Sequence, residues 1–447
     1  MPPNATSVRG NDAGPFSRRV SEEDTGRTAY NEPGHGRRAS IMSEERPKIR
    51  ALDFLPVQVQ GRQAFLLRDP QGLSRQEVIL PVDMAYLLSQ FDGTRTLREA
   101  QVNYVRRFGT LLTTDKIEDL LRRLDEALLL ESEHFLEFKT QEEAAFRARA
   151  TRPMTHAGRS YDDGAAAFLL AWQPRLDAAE TQGFALDARR PLLIAPHYDM
   201  NGAAECYAAA YRLLAETDPP EVVVILGIAH SGGASPFILT RKPFETPFGA
   251  LEADAAITEA LIEAVPFDPL ADEFLHRDEH SIEFQAVLLH FLYCRDADPP
   301  KIVPILCGGY HRQGGEVVNP GESGPAAQFL ASLRELLAAD SRRIALIASA
   351  DLCHIGARFG QPPLTQVHLD LARRHDMSLL EKAQAGDAAG LYQTLAQEGD
   401  RYNVCGFPAI YALVSVATPS EGHLLSYRQF VEPQTQSAVS FASVALR

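Results

Sequence analysis

From about residue 151 onward, short and almost uninterrupted apolar runs alternate with helical stretches. Strand candidates fall at 192–196, 222–228, 301–307 and 343–349, with a late pair near 423–430 and 438–445. Helices are expected near 202–215, 253–264, 280–293, 323–338, 366–385, 388–397 and 406–416. A strand that is apolar at nearly every position has no face to give to water. Such strands belong in a mainly parallel sheet flanked by helices, an α/β architecture. That architecture also says where to look for function, because ligands of open α/β sheets bind outside the carboxyl ends of the strands.

Polar residues able to bind metal or move protons cluster at those ends. Leu192–Pro196 runs into His197, and Val222–Gly227 leads to His230. The run Arg343–Ser349 leads to Asp351 and His354, while Cys405 precedes a late apolar helix. Taken alone, His197 reads as a loop histidine and Cys405 as a small buried hydrophobe. Their common placement at one sheet edge is what favours chemistry. A helix N-terminus is expected to lower the Cys405 thiol pKa toward the thiolate form. Asp351 and His354, three apart, suit proton transfer or the positioning of a substrate hydroxyl. In Asp278-Glu279-His280-Ser281-Ile282-Glu283, the acids equally suit the first turn of a helix. His280 and Glu283 share a helical face there, as orienting groups or as a ligand pair. The Gly-rich turn around His230 carries no phosphate-binding pattern.

Composition narrows the partners. A formal net charge of −15 argues against nucleic acid or an anionic membrane. No stretch is long and apolar enough to span a bilayer, and the N-terminus lacks the apolar core of a signal peptide. Five scattered cysteines without CxxC spacing suit free thiols, so a cytoplasmic location is expected.

Residues 1–47 are rich in Pro, Gly, Ser, Arg and Glu and are expected to be a disordered tail; Met42 is equally acceptable as the start. Removing residues 1–41 is therefore expected to leave the melting temperature unaltered, and a large drop on thermal unfolding would show that the tail is ordered. Residues 48–145 read as a separate small α+β unit. They contain a hairpin over Val57–Leu67, a helix around Asp83–Gln90, a capping box at Thr96-Leu97-Arg98-Glu99 and a helix over Thr114–Leu130. Short strands followed by helices predict a winged-helix-like domain. Its basic and acidic residues balance, which favours peptide or protein contact over DNA.

The front unit, through its run from Leu87 to Ala100 and on through Ile117–Ser132, resembles the PqqD-like fold. The larger part resembles the Memo family, also called AmmeMemoRadiSam system protein B. The matching runs, in order, are Met154–Tyr161, Ala195-Pro196-His197, Gly227–His230, Glu245–Gly249, Asp278–Glu283, Ile302–Leu306, Ser349–Gly356 and Val404-Cys405-Gly406, with Tyr427 and Ser437–Ala442. The resemblance covers residues 151–447 and implies a fold similar to class III extradiol dioxygenases. It implies metal ligands at His197, His230 and Cys405, with His354, Asp351 and His280 as catalytic groups. Iron is the favoured metal, with copper or zinc possible, and the implied activity is metal-dependent redox chemistry on a small molecule or peptide group. The other reading is a non-catalytic adaptor whose residues 48–145 contact a radical-SAM protein or a peptide substrate. Where the family usually has Pro-His-Ala-Gly-Tyr this chain has Pro196-His197-Tyr198-Asp199-Met200, and where it has Pro-Ser-His this chain has Ile228-Ala229-His230.

Overall fold

The computed structural model describes residues 46–447 apart from 75, 182, 295–298 and 323, so the expected tail lies almost wholly outside the described residues. The front segment opens with strands β1 (Asp53–Val59) and β2 (Arg62–Arg68), paired antiparallel. Gln60 and Gly61 join them with φ of 50° and 75°, the left-handed pair that a tight hairpin requires. Strand β3 (Val78–Pro81) adds to β2 and leads into helices α1 (Val82–Leu88), α2 (Leu97–Phe108), α3 (Thr114–Glu126) and α4 (Glu133–Ala148). Thr96 and Glu99 cap α2 reciprocally, as their spacing predicts. The helix expected over Thr114–Leu130 stops at Glu126, because Leu128 turns into the left-handed region at φ 59°. Ile117, Leu121 and Leu124 on its inner stripe close a small core with Leu67, Leu87 and Leu97.

The larger part begins with α5 (Ala165–Ala178), β4 (Leu192–Ala195), α6 (Ala204–Leu214) and β5 (Val222–Ile228). Short strands β6 (Phe237–Leu239), β7 (Phe244–Thr246) and β8 (Gly249–Leu251) precede α7 (Ala255–Ala264) and α8 (His280–Tyr293). Next come β9 (Lys301–Cys307), the small hairpin β10 (Arg312–Gln313) and β11 (Glu316–Val317), and α9 (Gly324–Ala339). The chain ends with β12 (Ile344–Ser349), β13 (Asp351–Gly356), α10 (Gln366–Gln384), α11 (Ala388–Gln397), α12 (Phe407–Ala417), β14 (Gly422–Glu432) and β15 (Ser437–Leu446).

One sheet runs in the order β13-β15-β4-β12-β5-β9-β6, with β14 paired to β15. Its centre is parallel: β12 pairs with β4 and β5, and β5 with β9. The flanking pairings of β15 with β4 and β6 with β9 are antiparallel. This is the expected mixed α/β class, a mostly parallel sheet between helices. Strand alternation divides the core into two layers. Leu192, Val222 and Val224 pack on one face with α9 and α12; Leu193, Val223 and Ile225 pack on the other with α6 and α8. Among the described residues no helix is long and apolar enough to cross a membrane.

One expectation needs correcting. Asp351 and His354, expected at the carboxyl end of the 343–349 strand, belong to a further strand that was not among the expected ones. After Ser349 the chain steps sideways and continues as β13, which pairs antiparallel with β15 at the sheet's edge, with Asp351 opposite Phe441 and His354 opposite Val439.

Candidate metal centre

His197 lies two residues past β4, after Pro196, and its side chain is buried. Its backbone N–H and that of Tyr198 both donate to Asp351 Oδ1, at 3.0 and 3.1 Å, which pins the turn. Its ring Nδ1 lies 2.9 Å from the Ser349 carbonyl oxygen. A carbonyl only accepts, so Nδ1 carries the proton and Nε2 keeps its lone pair. That Nε2 is 3.2 Å from Cys405 Sγ.

His230, two residues past β5, is arranged the same way by a different partner. Its Nδ1 lies 3.0 and 3.1 Å from the two Glu279 carboxylate oxygens, and its backbone N–H donates to Oε2 at 3.1 Å. Glu279 also caps α8 by accepting from Ser281 N at 2.9 Å and stands 3.3 Å from His280 Nδ1. Such close approach of α8 to β5 depends on Gly227, where a Cβ would meet Ile282 at 2.6 Å and Ser281 Oγ at 2.7 Å. Gly406 serves Cys405 similarly: a Cβ there would lie 2.2 Å from the Asp351 carbonyl oxygen, which instead accepts from Gly406 N at 3.0 Å.

The rings converge. Centroids of His197 and His230 are 4.9 Å apart, and those of His230 and His280 are 4.8 Å apart and nearly stacked. One ligand atom from each of His197, His230 and His280 lies within 4.8 Å of the others, close enough to share a metal ion. In each ring Nδ1 faces an acceptor, which leaves Nε2 as the atom to ligate. A histidine ligand whose other ring nitrogen is held by a carboxylate or carbonyl is the usual arrangement around protein metals. The donor set therefore fits a metal ion.

Burial pushes the His197 and His280 pKa values below the usual imidazole range, with Asp351 and Glu279 respectively opposing it. His230 goes the other way: burial lowers it, but Glu279 more than compensates. The expected lowering of the Cys405 thiol by a helix end does not hold in the metal-free site. Burial, and then the Asp351 charge, push it well above its ordinary value. A bound cation would reverse that balance, since a coordinating thiol is deprotonated.

The other expected site residues divide. Asp351 commits Oδ1 to the turn at His197, while Oδ2 lies 3.6 Å from His197 Nε2. His354 directs Nδ1 to the Leu352 carbonyl at 2.9 Å and meets the Phe359 ring edge to face. Burial pushes its pKa down to about 4. Its backbone N–H and C=O bond to Tyr402 and Asn403, in the turn just before Cys405. Asp278 points away to Arg277. The paired role of His280 and Glu283 is not borne out, because Glu283 turns inward, fully buried, to a separate network. There it binds Arg152 and Tyr161, and it accepts from Thr155 Oγ1 at 3.0 Å and His156 N at 2.9 Å. Sequence reading missed Arg152 and the orienting role of Glu279; a lone arginine before a proline carries no pattern to find it by. The unusual Tyr198 stacks on Phe441 with centroids 5.1 Å apart, and Asp199 caps its own turn by accepting from Asn201 N and Gly202 N.

A sequence profile of the Memo-like protein family matches residues 152–445. A MEMO1 family protein of Aquifex aeolicus is 26% identical over 402 residues, covering 89% of this chain and 99% of that one. One from Thermus thermophilus is 31% identical over 355 residues, covering 79% and 99%. Another, from Methanopyrus kandleri, is 31% identical over 267 residues, covering 58% and 83%. The Aquifex match is longer than the profile match, so the likeness extends outside residues 152–445.

Proposed function

This chain belongs to the Memo-like protein family, and on that premise we propose that it is a metalloenzyme with one metal ion on His197, His230 and Cys405. The observation that carries this reading is the convergence of ring nitrogens whose partner atoms are already held: His197 by Ser349, His230 by Glu279, with Cys405 Sγ 3.2 Å from the first. Two imidazoles and a thiolate make a soft, electron-rich set suited to iron, which we favour, or to copper or zinc. Iron or copper held there supplies redox chemistry on a small molecule or peptide group, whereas zinc supplies activated water.

The chain's own groups have assigned tasks. Ser349 and Glu279 fix the tautomers of the two histidines. Asp351 Oδ2, the oxygen not spent on the turn, accepts or returns a proton beside the metal. His354, neutral and with Nδ1 committed, offers Nε2 to a substrate hydroxyl. The strand-end crevice goes with a fold similar to class III extradiol dioxygenases, and the front unit's hairpin and helices with a winged helix. A second ligand set, His197, His230 and His280, is favoured by the 4.8 Å spacing of their ring nitrogens.

Metal content by mass spectrometry, on protein purified without oxygen or chelators, tests the proposal against a His230→Ala variant. Near-stoichiometric iron or copper in the wild type, lost in the variant with the fold retained, is the expected result. Zinc lost in the same way redirects the reading to hydrolysis. Wild-type protein without metal would overturn it and support an adaptor that contacts a peptide or a radical-SAM protein through residues 48–145.

A further inference from the structure

The front unit touches the crevice on two sides. On the first, the loop between β2 and β3 reaches the segments that carry His230 and His280. Ser231 Oγ, one residue past His230, donates to the Pro70 carbonyl at 2.9 Å. Arg277 Nη2 donates to the Gln71 carbonyl at 3.0 Å, and its Nη1 lies 3.2 Å from Glu142 on α4. Gly72, at φ 64°, passes so near Asp278 that a Cβ would sit 2.9 Å from its Oδ2. On the second side, β1 packs against the turn Ala357–Phe359, whose Phe359 ring meets His354.

The loop is stiff. Asp69 is buried and accepts from Arg50 Nη1 and Nη2, at 2.8 and 3.0 Å. It also accepts from the backbone N–H groups of Gln71, Leu73 and Ser74, at 3.0, 2.9 and 2.8 Å. So many donors on one buried carboxylate hold the loop in a single shape. A pocket of about 150 Å³ lies against it, lined by Gln71, Phe146, Ser231, Gly233, Arg277 and Asp278. Ser231 and Asp278 in its lining lie one and two residues from His230 and His280, whose side chains keep 33% and 32% of their surface open.

We propose that the Asp69–Gly72 loop is a fixed rim of the metal crevice that selects substrates by size, admitting small solutes and holding out bulky ones. The inference rests on the crevice being the functional site, but its test needs no bound metal. Cys405, half-buried against His197, reports access to the cluster, and half-buried Cys294 serves as the control. Metal-free full-length protein is labelled with N-ethylmaleimide or with a polyethylene-glycol maleimide, and each cysteine is read by peptide mass spectrometry. The variant Ser231→Ala/Arg277→Met removes both clamps on the loop.

In the wild type the bulky reagent is expected to be far slower than the small one at Cys405. In the variant the bulky-to-small ratio at Cys405 should rise by about tenfold, as local opening of the rim allows, with the Cys294 ratio unchanged. Buried Cys206, Cys307 and Cys353 must stay unlabelled; if they react, the variant has unfolded and Ser231→Ala alone is measured. An unchanged Cys405 ratio in a folded variant overturns the proposal. So does a wild type in which the bulky reagent is no slower at Cys405. A failed metal assignment affects neither outcome.

Discussion

Arg152→Met is expected to destabilise the fold by about 3–5 kcal/mol, the cost of leaving a buried carboxylate without its cation. Neither Arg152 nor Glu283 exposes any side-chain surface. The guanidinium spends all its nitrogens on named acceptors: Glu283, the carbonyls of His276, Pro153 and Glu279, and Thr155 Oγ1. Methionine fills the volume but meets none of them. Arg152→Lys keeps the charge without the planar fork and should fall between. Urea unfolding measures both, and a loss below about 1 kcal/mol for the methionine variant would contradict the assignment. Because the Glu279 carbonyl is one of the acceptors, the damage should reach the His230 side of the candidate metal centre as well.

The same pair sets an acid limit. Burial pushes the Glu283 carboxyl upward, but Arg152, His156 and Tyr161 outweigh it and hold it well below the usual carboxylate range. A depressed folded value contributes stability above the unfolded value, near 4.3 for glutamate, and loses it as pH falls toward the folded one. Glu283→Gln should therefore start less stable at neutral pH and lose less than the wild type on acidification below about pH 4.

The central strands were legible because a strand buried on both faces must be apolar throughout, and Val222–Leu226 and Ile344–Ala348 are. Strand β13 was not, since Asp351 and His354 break the apolar run that marks a strand and its pairing with β15 is an edge pairing. The start of α8 was legible from its acids and apolar stripe, whereas the fate of Glu283 was not. Its partner Arg152 lies 131 residues away, and no local rule predicts a pairing at that separation. At the candidate site, His197 and His230 each follow a strand end as the strand-end rule expects, while Cys405, in the turn before α12, comes within 3.2 Å of His197 Nε2 from outside the sheet. For the Cys405 thiol a helix-end argument counts the dipole but not desolvation, which, with no metal charge beside it, pushes the thiol up.

Cys405→Ala is expected to abolish metal binding, while His280→Ala should retain it with affinity lower by about 10–100-fold, as for loss of a group outside the ligand shell. The two candidate ligand sets share His197 and His230 and differ only in the third donor. His280 is a poorer choice because its Nδ1 shares Glu279 with His230: one carboxylate serves both rings, at 3.3 Å for His280 and 3.0 Å for His230. Cys405 Sγ, in contrast, faces His197 Nε2 at 3.2 Å and, deprotonated by a bound cation, would supply the negative charge that two neutral imidazoles lack. Cobalt(II) substitution separates the sets by spectrum, since a thiolate ligand adds a charge-transfer band in the near ultraviolet that imidazole does not. The band should persist in His280→Ala and vanish in Cys405→Ser, even where cobalt still binds. If it is absent from the wild type while His280→Ala loses its metal, the all-imidazole set is the correct one. Cys405 would then be a half-buried thiol that lines the site without ligating.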